Sequence, residues 1–142
     1  MAVTKVFSNV RGWPAQTQTV VNTTAYNFDF NFEDANVWPD GVPADAVALV
    51  EFLIVYAKPG TSTYHSAFKR MGSFRITAGS LEGTVREQGN SPSAAATSYM
   101  SAENLEGSGT NMRCTLTMAA TGDGYVTVMP CLLLVQESDG VP

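Results

Sequence analysis

The most regular feature of this chain is an alternation. In Tyr26-Asn27-Phe28-Asp29-Phe30-Asn31-Phe32 four aromatic residues alternate with polar ones. Successive side chains of a strand point to opposite faces, so a period of two places the four rings together and Asn27, Asp29 and Asn31 opposite. The segment is expected to be a strand with a buried aromatic face and a wet polar face. A second segment, Val47 to Tyr56, is nearly continuous in apolar, largely β-branched residues, the pattern of a central strand covered on both faces. Further strands are expected from Gln16 to Asn22, Thr63 to Lys69, Ser73 to Ala78 and Gly83 to Glu87, separated by Gly72 and by Gly79-Ser80.

Toward the C-terminus, Met112, Cys114, Leu116, Met118 and Ala120 share one parity, and Tyr125, Thr127, Met129, Cys131 and Leu133 share another, around Gly122-Asp123-Gly124. This predicts a hairpin centred between Gly122 and Asp123, with Leu116 opposite Met129 and Cys114 opposite Cys131. Pro130 cannot donate to a ladder, so it implies an edge, a bulge or a register shift near Cys131.

Residues 1–16 read as an extended N-terminal arm, because Gly12 and Pro14 break any helix. Residues 17–142 then form one domain with two long loops. The first, 33–45, is turned by Pro39, Asp40-Gly41 and Pro43; the second, 89–111, is rich in Ser, Ala, Gly and Asn, with 94–105 a short helix or an irregular excursion. A loop of that length is often ordered by a partner. About eight strands, Thr/Val/Phe richness and few helix-length patterns give an all-β fold, an antiparallel β-sandwich with jelly roll preferred over immunoglobulin-like topology.

Composition narrows the function. Only 15% of the 142 residues are charged, below the roughly 25% of an average soluble domain, so much of the surface must be Thr, Ser, Asn and Gly. Such a surface suits broad protein contacts and is also ordinary for β-rich chains. A net charge of −5 with eight Lys and Arg argues against a nucleic-acid partner. The charges are segregated: Asp29, Glu33, Asp34, Asp40, Asp45 and Glu51 run without an intervening base, and Lys58, Lys69, Arg70, Arg75 and Arg86 follow with only Glu82 among them. Two readings stay open, complementary docking between copies and two solvated faces. No leader peptide or membrane span is expected, since the longest apolar run, Ala46 to Ala57, is short and broken by Glu51. The chain is thus expected to be made in a cytoplasm, with no membrane partner.

Candidate chemistry is sparse. His65 is the single histidine, and no nucleophile motif accompanies it. Cys114 and Cys131 are too few for a structural zinc site and are expected to be free thiols. The acids Glu33, Asp34, Asp40 and Asp45 fall in a Pro/Gly loop and read as solvated. No catalytic residue, metal site or cofactor is expected, and the chain reads as not an enzyme. Trp13 and Trp38 each precede a proline outside the expected strands. Trp13 reads as an interface residue and Trp38 as a core cap or an anchor, and Val6, Phe7, Arg11, Trp13 and Trp38 make up the expected partner interface.

An arm at Met1 to Gln16, jelly-roll-like strands and the Ser91 to Asn111 excursion resemble the cement or decoration proteins of tailed-phage capsids, a resemblance of type over the whole chain. It implies a structural virion protein on the capsid exterior, binding the major capsid protein and other copies of itself as a dimer or trimer. The alternative is a carbohydrate- or receptor-binding β-sandwich module of a tail fibre, with Trp38, Asp40 and Asn36 as its site. A third class is a small hydrolase built on His65.

Overall fold

The structure, a computed structural model, describes residues 2–60, 65–88 and 99–138, the side chains of 2–10, 84, 87, 88, 102 and 138 being outside the description. Strands β1 (Ala2–Gly12), β2 (Gln16–Val20), β3 (Ala25–Asn31), β4 (Ala46–Ala57), β5 (His65–Thr77), β6 (Ser80–Gln88), β7 (Met100–Ser108), β8 (Asn111–Met118) and β9 (Gly124–Ser138) build two antiparallel sheets. The larger runs β1-β9-β4-β5-β6, with β2 sharing the edge of β9; the smaller runs β3-β8-β7. The expected all-β sandwich is therefore present.

Its core lies between the sheets. Ala46, Ala48, Val50, Phe52, Ile54 and Tyr56, alternate residues of β4, are all buried. They meet Phe28 and Phe30 of β3 and Met112, Cys114, Leu116 and Met118 of β8. As the alternation predicts, Phe28, Phe30 and Phe32 are buried, and Tyr26 packs against them half-exposed. Ring contacts continue from Trp38 through Phe32, Phe74 and Phe52 to Phe30, with centroids 5.5 to 6.4 Å apart. Burying each such side chain contributes about 1.5–3 kcal/mol.

The small sheet is tied to the large one along both of its sides. On the β3 side, the carbonyls of Asn27, Asp29 and Asn31 face away from β8. Each accepts a side-chain hydrogen bond: Gln18 Nε2 donates to Asn27 at 2.8 Å, Gln16 Nε2 to Asp29 at 2.5 Å, and Trp13 Nε1 to Asn31 at 2.7 Å. On the β7 side, β6 and β7 touch at Gly83 and Gly107, where a Cβ on Gly107 would stand 2.5 Å from the Glu82 carbonyl oxygen. Close by, Arg70 Nη1 pairs with Glu103 Oε1 at 3.0 Å, from the inward parity of β5 to β7.

Four expectations change. The 112–133 hairpin does not form, because β8 has both edges taken by β3 and β7, leaving β9 to pair with β4 on one side and β1 and β2 on the other. The 122–124 segment instead carries the chain from one sheet to the other, with Gly122 so close under the Tyr99 carbonyl that a Cβ would fall 2.3 Å from it. Of the loop expected at 89–111, residues 89–98 lie outside the described ones, and Met100–Ser108 form strand β7, which a turn at Gly109 and Thr110 joins to β8. Met100 and Leu105 are both buried yet five residues apart, and a register irregularity between Met100 and Ala102 reconciles them. Gly72 does not separate two strands but lies inside β5, where a Cβ would stand 2.9 Å from Val85. The stretch read as an arm is strand β1 laid along β9, followed by Trp13 to Ala15 and the start of β2.

The β3 seam sets the first expected outcome. Trp13→Ala should lower unfolding stability by about 3–5 kcal/mol in urea titrations, and Gln16→Ala by about 1 kcal/mol, since the first removes core volume and the second one hydrogen bond. Equal, small effects of both would show that the seam is not structural.

Candidate functional site: the outer face of the large sheet

The two outer faces of the sandwich differ in chemistry. On the small sheet, Asp29, Arg113 and Glu106 lie side by side across β3, β8 and β7. Arg113 Nε and Nη2 donate to the two Asp29 oxygens at 2.7 and 3.0 Å, and Glu106 stands 3.9 Å away. That hydrogen bonding to Asp29 raises the Arg113 pKa. Beside it, Thr115 Oγ1 and Asn27 Oδ1 are 2.9 Å apart. This face satisfies itself with its own polar groups.

The large sheet does not. Its outward parity carries Val47, Leu49, Glu51, Leu53, Val55 and Ala57 on β4 and Ala67, Lys69, Met71, Ser73 and Arg75 on β5, while β9 contributes Tyr125, Thr127, Met129 and Cys131. Val55, Tyr125 and Met129 are 49, 45 and 38% exposed. The pairing Leu53↔Met129, Val55↔Thr127, Ala57↔Tyr125 sets these residues side by side, and Thr17 and Thr19 of β2 extend the row. Thr17 and Thr127 share a hydrogen bond of 2.8 Å between their hydroxyls. Among the described residues, β2, β4 and β9 bring no charged side chain to this half of the face, and Lys69 of β5, opposite Leu53, marks its border.

The other half is charged. Lys69 Nζ lies 3.4 Å from Glu51 Oε2 at its centre. Beyond the pair, Val47, Ser73, Arg75, Glu82 and Arg86 line a shallow depression of about 480 Å³.

In β4 and β9 the faces differ from those expected. The run Val47 to Tyr56 is a central strand, yet only its even residues are covered; its odd residues form the outer face. In β9 the inward residues are Val126, Val128, Pro130 and Leu132, so the row Tyr125, Thr127, Met129, Cys131 points outward, opposite to the hairpin reading. Both parities of β9 are apolar, so periodicity alone could not choose. The signal that remained was surplus: an antiparallel sheet with two apolar faces has one more than its core needs.

The expected interface residues are not gathered on this face. Trp13 and Trp38 are 3 and 6% exposed and both pack on Phe32. Trp38 Nε1 donates to the Phe32 carbonyl at 2.8 Å, which makes it a core cap. Trp13, read as an interface residue, is a core residue for the same reason: its ring and its N–H are both engaged inside. Val6 sits opposite Leu134, and Phe7 lies in the same strand; their side chains are outside the described ones. Arg11 faces an open cleft of about 210 Å³, shared with Trp38, Asp40, Pro43 and Glu137, and its Nη1 is 3.5 Å from the Val37 carbonyl. Asn36 lines a different depression, with Trp13 and Met129. His65 begins β5 opposite Ala57, and among the described residues no three of His, Cys, Asp or Glu group so as to hold a metal ion.

At the rim of the apolar half, Lys58 Nζ and Asp123 Oδ1 form an ion pair of 3.1 Å, and this hydrogen bond holds the Asp123 carboxyl below its ordinary pKa. Tyr56 OH donates to the Asp123 carbonyl at 2.8 Å, and burial raises the Tyr56 pKa. Both thiols are free and buried. Burial, then the Glu51 carboxylate, pushes Cys131 above the usual thiol range.

No protein-family model, no curated protein and no solved structure matches the chain.

Two outcomes follow from these groups. The folded-state pKa of Asp123 is depressed, so its pair with Lys58 stabilises the fold above the unfolded carboxylate range and is lost as pH falls through the lower folded value. Lys58→Met should therefore flatten the acid side of a melting-temperature profile and change the alkaline side little. Unfolded without reductant, the chain should titrate with two free thiols. Cys114 and Cys131 occupy opposite sheets, about 10 Å apart, too far for a disulfide. A thiol count of zero would contradict that placement.

Proposed function

We propose that the chain is a structural protein that acts by surface docking, a capsid cement or decoration protein that stabilises the shell of the major capsid protein. The observation that carries this reading is the uncharged half of the outer face, where Leu53, Val55, Tyr125 and Met129 stand exposed or half-exposed among Thr17, Thr19 and Thr127. Depletion of charge with enrichment in Tyr and Met is the composition of an interface centre. A contiguous apolar patch without a cover on a soluble sandwich marks a contact site. A ligand that binds only the assembled shell stabilises it by mass action, with no chemistry needed.

A second reading draws on the cleft at Arg11. A charged and hydrogen-bonding rim of Arg11, Asp40 and Glu137 over the edge of Trp38 has the makings of a small sugar site. The aromatic platform is weaker than the sequence suggests, because Trp38 is nearly covered.

Co-sedimentation with preformed tailed-phage shells tests the first reading. Stoichiometric binding is expected, with loss of at least about tenfold in affinity for the double variant Val55→Lys, Met129→Lys, whose melting should shift little because both sites are exposed. Failure to bind shells, or binding that the double variant keeps, would overturn it. Glycan binding that Asp40→Ala abolishes would favour the second.

A further inference from the structure

The charged half of the same face carries an inference that does not depend on shell binding. Arg75 and Arg86 are both exposed on the outward parity of β5 and β6, with Ser73 paired to Arg86 and Arg75 two residues on. Among the described residues neither makes an ion pair. Glu82, the acid in their depression, accepts the Thr77 hydroxyl at 2.5 Å. Lys69, the next cation along β5, is already matched by Glu51.

The β3–β4 loop has the converse excess. Glu33, Asp34, Asp40 and Asp45 lie on it with no Lys or Arg between Arg11 and Lys58. Among the described residues none of the four carboxylates makes an ion pair either, and Glu33, Asp40 and Asp45 are exposed. The loop is rigidly placed rather than loose: Asp34 accepts from the Val37 and Trp38 amides through its carbonyl and from Asn36 through its side chain, and Trp38 is locked into the core.

The fold sets the Asp45 end of the acidic loop beside the basic patch. Asp45 immediately precedes Ala46, which pairs with Ile76, and Arg75 pairs with Val47; the Gly79 amide donates to the Ala44 carbonyl at 2.8 Å. An acidic and a basic patch that adjoin on one chain, and are unmatched among its described residues, are self-complementary under a two-fold axis. Each copy then lays its loop over the arginines of the other, which is the isologous arrangement commonest among homo-oligomers.

We propose that a second copy of this chain docks on the Arg75/Arg86 end of the outer face through its acidic 33–45 loop, giving a symmetric, salt-sensitive dimer. Guanidinium groups form two-pronged hydrogen bonds with carboxylates, so the contact selects Arg over Lys at these positions. The uncharged half of the face is left free for another partner.

Sedimentation velocity of the wild-type chain across protein concentration tests this. A dimer is expected at about 0.02 M salt, with its dissociation constant rising at least ~tenfold by about 0.5 M salt. The variants Arg75→Glu with Arg86→Glu, and Asp40→Lys with Asp45→Lys, should each be monomeric while keeping the wild-type near-ultraviolet circular dichroism. Mixed together they should form a one-to-one heterodimer, because one contact then keeps the wild-type Asp-to-Arg pairing and the other is restored as Lys to Glu with reversed sign. A wild-type chain that stays monomeric at low salt, a dimer that neither variant disturbs, or mixed variants that fail to associate would each overturn the proposal. Shell binding is read separately through Val55 and Met129, so the two ideas fail by different results.

Discussion

Three hydrogen bonds along the free edge of β3 hold the sandwich in its particular form. A three-stranded sheet has two exposed edges, and each unpaired carbonyl on them invites another strand. Here Gln18, Gln16 and Trp13 answer the carbonyls of Asn27, Asp29 and Asn31 in succession. The donors come from β2 and the residues just before it, which belong to the other sheet, so the same bonds that close the edge also fasten sheet to sheet. The period of two is what makes this work: β3 offers outward carbonyls at alternate residues, and β2 offers side chains at alternate residues. Trp13 ends the series because its ring continues into the Phe32 cluster, joining the seam to the core.

The seam also explains which surface is left for function. With one edge of the small sheet closed by side chains and the other by the Gly83–Gly107 approach, neither is free to take a strand from a partner. The small sheet's outer face is matched internally by Asp29, Arg113, Glu106, Asn27 and Thr115. Among the described residues, the large sheet's outer face brings together exposed Val, Tyr and Met side chains and arginines that make no ion pair.

The parts of this fold that were legible in the sequence are those where polarity alternates. In β3 the polar positions Asn27, Asp29 and Asn31 fixed which face turns inward, and the aromatic face followed. In β4 and β9 both parities are apolar, and a local pattern holds no information about which one the core takes. The partner of β8 was hidden for a different reason: hairpin chemistry at Gly122-Asp123-Gly124 is local, whereas the competition of β3 and β7 for the edges of β8 involves residues that are distant in the chain. β7 escaped because its buried residues, Met100 and Leu105, have opposite parity across an irregularity. Trp13 was misplaced for want of one fact, that its N–H group would find a backbone carbonyl inside. The candidate face combines these blind spots, since Val55, Tyr125 and Met129 stand on strands whose two sides read alike.

Pro130 shows how a single local rule can still carry long-range information. It lies in the middle of β9, a strand flanked on both sides, where a missing donor should break a ladder. In an antiparallel strand the N and carbonyl of one residue point to the same side, and the Pro130 carbonyl receives the Trp13 amide at 3.1 Å. Its absent N–H therefore faces the gap where β1 has ended at Gly12 and β2 has not begun. Gly12 passes so near that a Cβ would stand 2.7 Å from the Pro130 oxygen, and one residue beyond Cys131 a register shift opposite Leu132 to Leu134 appears in both neighbouring ladders. The proline thus sits where its neighbour strand changes identity. The chain turns away from β9 at that place, and the turn is what carries Trp13 inward to the edge of β3.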